Sequence, residues 1–184
     1  PVDGNTAVAA LRDVYAGRGQ LACLIVSKRD VENRFDAESA QRLIRDGAAH
    51  LIGNPANAEV QLIALGAYQL DEAIKAQQHL AELGKCACVT VVLEPGRLRI
   101  PRDAIEAEFV DDDVTVSTLF PSGLPRVIVT HTRPEPMLGI LRRIDSGPAK
   151  TRALGYISRG GTFDVPGMLF ANRCTWAHVV DAAA

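Results

Sequence analysis

The stretch from Glu59 to Arg97 constrains the fold most, because it runs strand, helix and strand without interruption. Val60-Gln61-Leu62-Ile63-Ala64-Leu65 is a short apolar run closed by Gly66, the pattern of a buried strand. Asp71 to Leu83 then places Ala73, Ile74, Gln77, Leu80 and Leu83 at helical spacing, with Gly84 in the stop position. Cys86 to Leu93 is a second continuous apolar run, halted by Glu94-Pro95-Gly96. Continuous rather than alternating runs predict strands covered on both faces, as in a parallel sheet. A strand, a crossover helix of about a dozen residues and a parallel strand make one right-handed βαβ unit. The predicted fold class is therefore α/β, a three-layer sandwich with a mostly parallel sheet.

The rest of the chain builds outward from that unit. Thr6 to Tyr15 sets Val8, Leu11, Val14 and Tyr15 on one side of an amphipathic helix, and Asp3 or Asn5 stands where a cap belongs. After the turn Gly17-Arg18-Gly19, Leu21 to Val26 reads as another buried strand, ending at Ser27-Lys28-Arg29. Residues 1–28 thus look like the last helix and strand of an earlier sheet. Asp30 to Asn57 is more polar, with a helix predicted from Ala37 to Arg45 and a break at Gly53-Asn54-Pro55, and reads as a connector. The segment from Pro95 to Gly123 reads as irregular, with an acidic Asp111-Asp112-Asp113 cluster and a short strand at Val114-Thr115-Val116. Arg126 to Thr130 is a third buried strand, and Glu135 to Ile144 a helix entered through Pro134 or Pro136. Thr151 to Ile157 reads as a short strand, and Gly167 to Ala184 as one or two closing helices.

Composition limits the function classes. A chain of 184 residues with 47% hydrophobic content supplies one core of ordinary size. A formal net charge of −2 makes no electrostatic case for nucleic acid or a membrane surface. No apolar run approaches the roughly 20 residues of a membrane helix. The opening Pro-Val-Asp-Gly-Asn lacks the basic and apolar regions of a signal peptide. Without an initiator Met, it predicts a chain that begins inside a longer, cytoplasmic protein. The scattered Cys23, Cys86, Cys88 and Cys174 are expected to be reduced there.

Several patches carry a family resemblance. Pro1-Val2-Asp3-Gly4-Asn5-Thr6, the helix after it and the strand ending Ser27-Lys28 resemble the end of the pyrimidine-binding domain of transketolases. That domain closes on a Pro-Ala-Asp-x-Asn-Glu-like motif, a helix and a strand ending Ser/Thr-Arg. The unit from Glu59 to Arg97, with Arg152 to Ile157, Gly160-Gly161-Thr162 and the terminal helix, resembles the third, C-terminal domain of the same enzymes. Gly155-Tyr156, Gly161-Thr162, Met168, Asn172 and His178-Val179 are also similar to the C-terminus of phosphoketolases, a sister family with the same thiamine cofactor. The resemblance implies a pyrimidine-domain tail at 1–28, a linker at 29–57 and a transketolase C-terminal-like domain at 58–184.

It further implies that the full-length protein is a thiamine diphosphate- and Mg²⁺-dependent transferase. Such an enzyme passes a two-carbon ketol unit from a ketose phosphate such as xylulose 5-phosphate, with the cofactor as electron sink. The family's Gly-Asp-Gly motif for Mg²⁺ is missing here, and Asp46-Gly47 with Asn54 is only a decoy for it. The family's catalytic Glu also lies upstream of this sequence. This chain alone is therefore expected to bind no cofactor or metal, to be inactive, and to support its own upstream domains and a homodimer contact. A phosphoketolase, a xylulose 5-phosphate 3-epimerase-type relative and a non-catalytic regulatory module remain as alternatives.

By the same resemblance, Asp3 stands where the family has an Asp facing the sugar hydroxyls, and Lys28 where it has an Arg on the substrate phosphate. Read from the residues alone, Asp3 equally suits a helix cap and Lys28 a solvated strand end. Lys is a point charge rather than a bidentate fork, and Arg29 is an alternative cation. His131 and Arg133, with Glu135, follow a strand end and form an anion-binding or interface candidate. Arg142, Arg143, Arg152 and Arg159 could each accept phosphate. Cys86 and Cys88, two apart on a strand, would face the same way, yet a metal site needs further ligands. Trp176, Phe170 and Phe163 are expected in the core or at a dimer contact, and His178 as a half-buried surface residue.

Overall fold

A computed structural model describes residues 1–19, 21–157 and 160–184. In chain order, α1 (Gly4–Ala16) and α2 (Ala37–Asp46) precede β1 (Ala48–Ile52). The central unit follows as β2 (Val60–Leu65), α3 (Ala67–Glu82) and β3 (Ala87–Val92). Next come α4 (Ala104–Ala107), α5 (Asp113–Leu119), β4 (Arg126–Thr130), α6 (Pro134–Ile140) and β5 (Thr151–Leu154). Helices α7 (Val165–Ala171) and α8 (Trp176–Ala183) close the chain.

The five strands make one sheet in the order β1-β3-β2-β4-β5, parallel throughout except for β1, which runs antiparallel along β3. Every residue of β2, β3 and β4 is buried, as the continuous apolar runs predict. The pleat splits them between two cores. Leu62, Ala64, Val89, Val91, Val127 and Val129 pack against Leu70, Ala73 and Leu80 of α3 and Val179 of α8. Ile63, Leu65, Val92 and Ile128 pack against Val116 of α5, Phe120, and Met137 and Leu141 around α6. Each fully buried aliphatic side chain contributes about 1.5–3 kcal/mol, so two filled faces fix the register against a one-residue slip. The expected three-layer α/β architecture is what the chain adopts.

The chain winds from β2 to β3 on one side and returns to β4 on the other. The carboxyl ends of β2 and β4 therefore flank a topological switch point, where open α/β sheets bind ligands.

Some local expectations fail for physical reasons. Val114-Thr115-Val116 is helical, in α5. The Asp112 carboxylate takes the Thr115 backbone N–H at 2.7 Å, and this cap with burial of Val116 outweighs the β-branched run. Leu21 to Val26 is not a strand: no described strand pairs with it, and Leu21, Ile25 and Val26 are exposed. An apolar run forms a strand only where a sheet edge receives it. The stretch 29–57, read as a connector, contributes α2 and the unexpected edge strand β1. The helix expected from Glu135 to Ile144 stops at Ile140 and continues as a 3₁₀ turn, Arg142–Ile144.

Candidate functional site

The N-terminal segment folds across the carboxyl edge of the sheet and leaves two crevices there. Residue Asp3 organises the first. It is the N-cap of α1, and its Oδ1 accepts from the Thr6 backbone N–H and hydroxyl, both at 2.7 Å. Its Oδ2 accepts from the backbone N–H groups of Arg34 and Phe35, both at 2.9 Å. A carboxylate has about four lone-pair sites, and all four are used. Burial alone would push this carboxyl up, but the hydrogen bonds from Thr6, Phe35 and Arg34 hold it below the usual carboxylate range. Asp3 thus ties the start of α1 to the chain entering α2.

The crevice beside it has a volume of about 430 Å³ and is lined by Asp3, Ser27, Arg29, Asn33 and Ala67, among others. The Ser27 hydroxyl lies 2.6 Å from the Tyr68 hydroxyl, which anchors the turn to the first turn of α3. Arg29 lines this crevice, whereas Lys28 is exposed and does not. The structure therefore brings Asp3 and Arg29 together and leaves Lys28 outside the lining.

The second crevice, about 420 Å³, sits over the ends of β2, β3 and β4, beneath the extended run Leu21–Ile25. Leu65, Gly66, Val92, Glu94 and His131 line it from the sheet side, and Asp13 from α1. His131 Nδ1 is 3.0 Å from the Leu65 carbonyl oxygen, which can only accept, so the proton sits on Nδ1 and Nε2 is left free. Gly66 has φ +116°, and a Cβ there would collide with Gln69 Oε1 and approach His131 Nδ1 to 3.1 Å. Only glycine lets both side chains close over the start of α3. Glu94 makes no side-chain hydrogen bond among the described residues. Partial burial, aided by Asp111 and Asp13 and opposed by Arg97, holds its carboxyl above the ordinary range. Arg133 precedes α6 in the N-cap position, is exposed, and is not part of this lining.

The other candidates do not assemble. Arg143 is held by the Asp111 carbonyl at 2.7 Å and the Asp113 carboxylate at 2.6 Å, and Arg152 by the Pro148 carbonyl, so these two form no shared anion site. Arg159 lies outside the described residues. Cys86 precedes β3 and is exposed, whereas Cys88, inside β3, is fully buried. Among the described residues no group of three or more His, Cys, Asp or Glu is placed to hold a metal ion. Trp176 is partly exposed and stacks on His79 with ring centroids 4.0 Å apart. His178 lies 2.7 Å from the Thr175 hydroxyl, with Phe170 edge-on to its ring.

Sequence reasoning missed Asp13 and Glu94, since nothing in their local pattern marks them; only the crossing of α1 over the strand ends brings them to one crevice. The buried Arg126 was also hidden inside a strand. Its guanidinium reaches the carbonyls of Ile144 at 2.6 Å and Pro121 at 2.7 Å, and burial pushes its pKa down.

No family model and no curated protein matches the chain. Solved structures do match in fold. A transketolase from Pichia stipitis in complex with xylulose 5-phosphate aligns with a TM-score of 0.63 at 14% identity, over 100% of this chain and 24% of its own. Transketolase from Leishmania mexicana aligns with a TM-score of 0.56 at 15% identity, over 78% of this chain and 18% of its own. A split-gene transketolase, described as an inactive β4 tetramer, aligns with a TM-score of 0.57 at 17% identity, over 84% of this chain and 46% of its own. The fold is that of transketolases, and the chain spans about a quarter of the length of the Pichia enzyme.

Proposed function

We propose that this chain is the C-terminal part of a transketolase-like, thiamine diphosphate-dependent enzyme that transfers a two-carbon ketol unit between sugar phosphates. The observation that carries the reading is the fold match along the whole chain to a transketolase holding xylulose 5-phosphate. The split-gene transketolase offers a precedent for a separate, inactive polypeptide of this fold.

This chain's residues do not fit thiamine diphosphate or its Mg²⁺. The sequence lacks the Gly-Asp-Gly motif, and the described residues form no cluster of metal-ligating side chains. The reaction chemistry would belong to the cofactor, held by other domains. The share of this chain is binding and support. Asp3, with its acceptor sites filled, holds the wall of the first crevice. Arg29 supplies a guanidinium suited to a phosphate, with Lys28 beside it as a second positive charge. The upstream domains and a second copy are the proposed partners, and the exposed Val8, Leu11 and Tyr15 of α1 are the apolar surface they would cover.

The test is cleavage of xylulose 5-phosphate, with thiamine diphosphate and Mg²⁺, by the intact protein and by this chain alone. Turnover by the intact protein and none by the chain supports the reading. A requirement for ribose 5-phosphate as acceptor assigns the transketolase branch, and a requirement for inorganic phosphate the phosphoketolase branch. Interconversion of the ketose without cleavage assigns the epimerase. An intact protein that binds no thiamine diphosphate overturns the reading in favour of a regulatory module.

A further inference from the structure

The segment that carries Arg29 past the first crevice is held at both ends, and each end is tied to the same helix. Tyr68 and Asp71 stand three residues apart on α3, so their side chains project on one face. Asp71 Oδ1 accepts from Arg34 through Nε at 3.1 Å and Nη2 at 2.9 Å. The backbone of Arg34 is held as well, by Asp3 Oδ2. That end of the segment is therefore fixed twice. The other end is fixed once. From Ser27 to Val31 the contact of the Ser27 and Tyr68 hydroxyls, at 2.6 Å, is the single hydrogen bond to the rest of the fold among the described residues.

The protons of this contact have one arrangement. The Ser27 hydroxyl lies 2.6 Å from the Arg29 carbonyl oxygen, which can only accept, so the Ser27 proton goes there. Tyr68 must then donate to Ser27 Oγ, which also accepts the Arg29 backbone N–H at 3.1 Å. A serine hydroxyl offers one proton and two lone pairs, and here all three are in use. Ser27 thus closes the turn on both backbone groups of Arg29, and the phenol pins that turn to α3. The Arg29 side chain forms no hydrogen bond or ion pair among the described residues, and it lines the crevice with Asp3 and Asn33. Its backbone is fixed and its guanidinium is free. Tyr68 itself is not in the lining.

We propose that Tyr68 is a positioning residue: through Ser27 it sets the Arg29 guanidinium in the first crevice to meet a phosphomonoester. A turn placed beforehand lowers the ordering cost of binding, and a guanidinium meets phosphate well only when its planar fork is aimed. The inference rests on the phosphate reading of Arg29 given above and adds to it a residue on another element, 41 positions from Ser27.

NMR titration of the isotope-labelled chain with inorganic phosphate and with ribose 5-phosphate, followed at the Arg29 Nε–H resonance, tests it. Saturable shifts are expected in the native chain, and their loss in Arg29→Ala. Tyr68→Phe keeps the ring and removes the donor, and is expected to weaken both ligands about three- to tenfold, the worth of one hydrogen bond. Ser27→Ala is expected to weaken them at least as much, and the double variant no more than Ser27→Ala alone, because both act through one contact. Without ligand, the order parameter of the Arg29 backbone N–H should fall in Tyr68→Phe. Unchanged melting temperatures separate these effects from a general loss of stability. No saturable shift in the native chain, or binding indifferent to Arg29→Ala, overturns the phosphate reading of Arg29 and this proposal with it. Binding that Arg29→Ala abolishes but Tyr68→Phe leaves unchanged, additive losses in the double variant, or an unaltered order parameter overturns the positioning role alone.

Discussion

Glu72 on α3 accepts the backbone N–H of Trp176 at 2.6 Å, so the first turn of α8 is capped by a side chain from another helix. Thr175, in the N-cap position, gives no side-chain cap, because its hydroxyl is directed to His178. The other Glu72 oxygen holds Lys75 at 2.6 Å, and the carboxylate is buried. Replacing Glu72 with Ala strands a helix-terminal N–H and loosens the His79–Trp176 stack beside it. A loss of about 1–3 kcal/mol is expected in urea unfolding, with a shift in Trp176 fluorescence in the native state. Glu72→Gln, which retains an acceptor oxygen, is expected to lose less.

Asp3 joins two segments through one carboxylate. Asp3→Ala removes a helix cap and leaves the Arg34 and Phe35 N–H groups unpaired, so about 2–3 kcal/mol of stability is expected to go. Its folded pKa lies below its ordinary value of 3.8. The stability it contributes is therefore complete above that value and is lost as the pH falls through the lower folded one. Acid unfolding of the native chain and of Asp3→Asn should differ at neutral pH and converge at the most acid pH. Parallel curves would show that the carboxylate's charge does not contribute.

His50 gives the opposite group the same sign. Its ring packs in β1 with Nδ1 2.9 Å from the Thr90 hydroxyl, and the same hydroxyl accepts from Gln61 Nε2 at 2.7 Å. Burial pushes its pKa below 6.5. As the pH drops below 6.5 the unfolded chain takes up the proton first, so stability falls with a slope of at most about 1.4 kcal/mol per pH unit until the folded histidine protonates. Denaturant midpoints measured between pH 7.5 and 5 should show this limb, and His50→Leu should flatten it.

The sequence patterns that proved legible were those where one local signal sufficed. Val60–Leu65 and Arg126–Thr130 are strands over the residues expected, because an apolar run between breakers has few other solutions. The Asp3 cap was readable as one of two alternatives for the same reason. Long-range facts were not readable. Leu21–Val26 has a strand's composition but no pairing edge, and His50 lies in a strand that exists only because β3 offers it an edge. Arg126 sits inside an apolar run, and only the tertiary fold supplies the carbonyls that satisfy its charge. The second crevice draws Asp13, Glu94 and His131 from three distant parts of the chain, so no motif could announce it.

The cysteines report on the same layering. Cys23 lies on the exposed run over the second crevice and Cys86 on the loop before β3, and both are exposed. Cys88 and Cys174 are buried, and burial pushes each thiol up to about 11. The thiolate is the reactive form, so at pH 8 a disulfide reagent such as dithiobis(nitrobenzoate) should modify two cysteines quickly and the others only after unfolding. With Cys23→Ser and Cys86→Ser combined, the native chain should release almost no chromophore, and in urea the two remaining thiols should react at once. Because Cys88 lies on β3 and Cys174 before α8, their slow reaction in the native state measures opening of both faces of the sheet. Fast labelling of Cys88 in the folded chain would mean that β3 is not held between two layers.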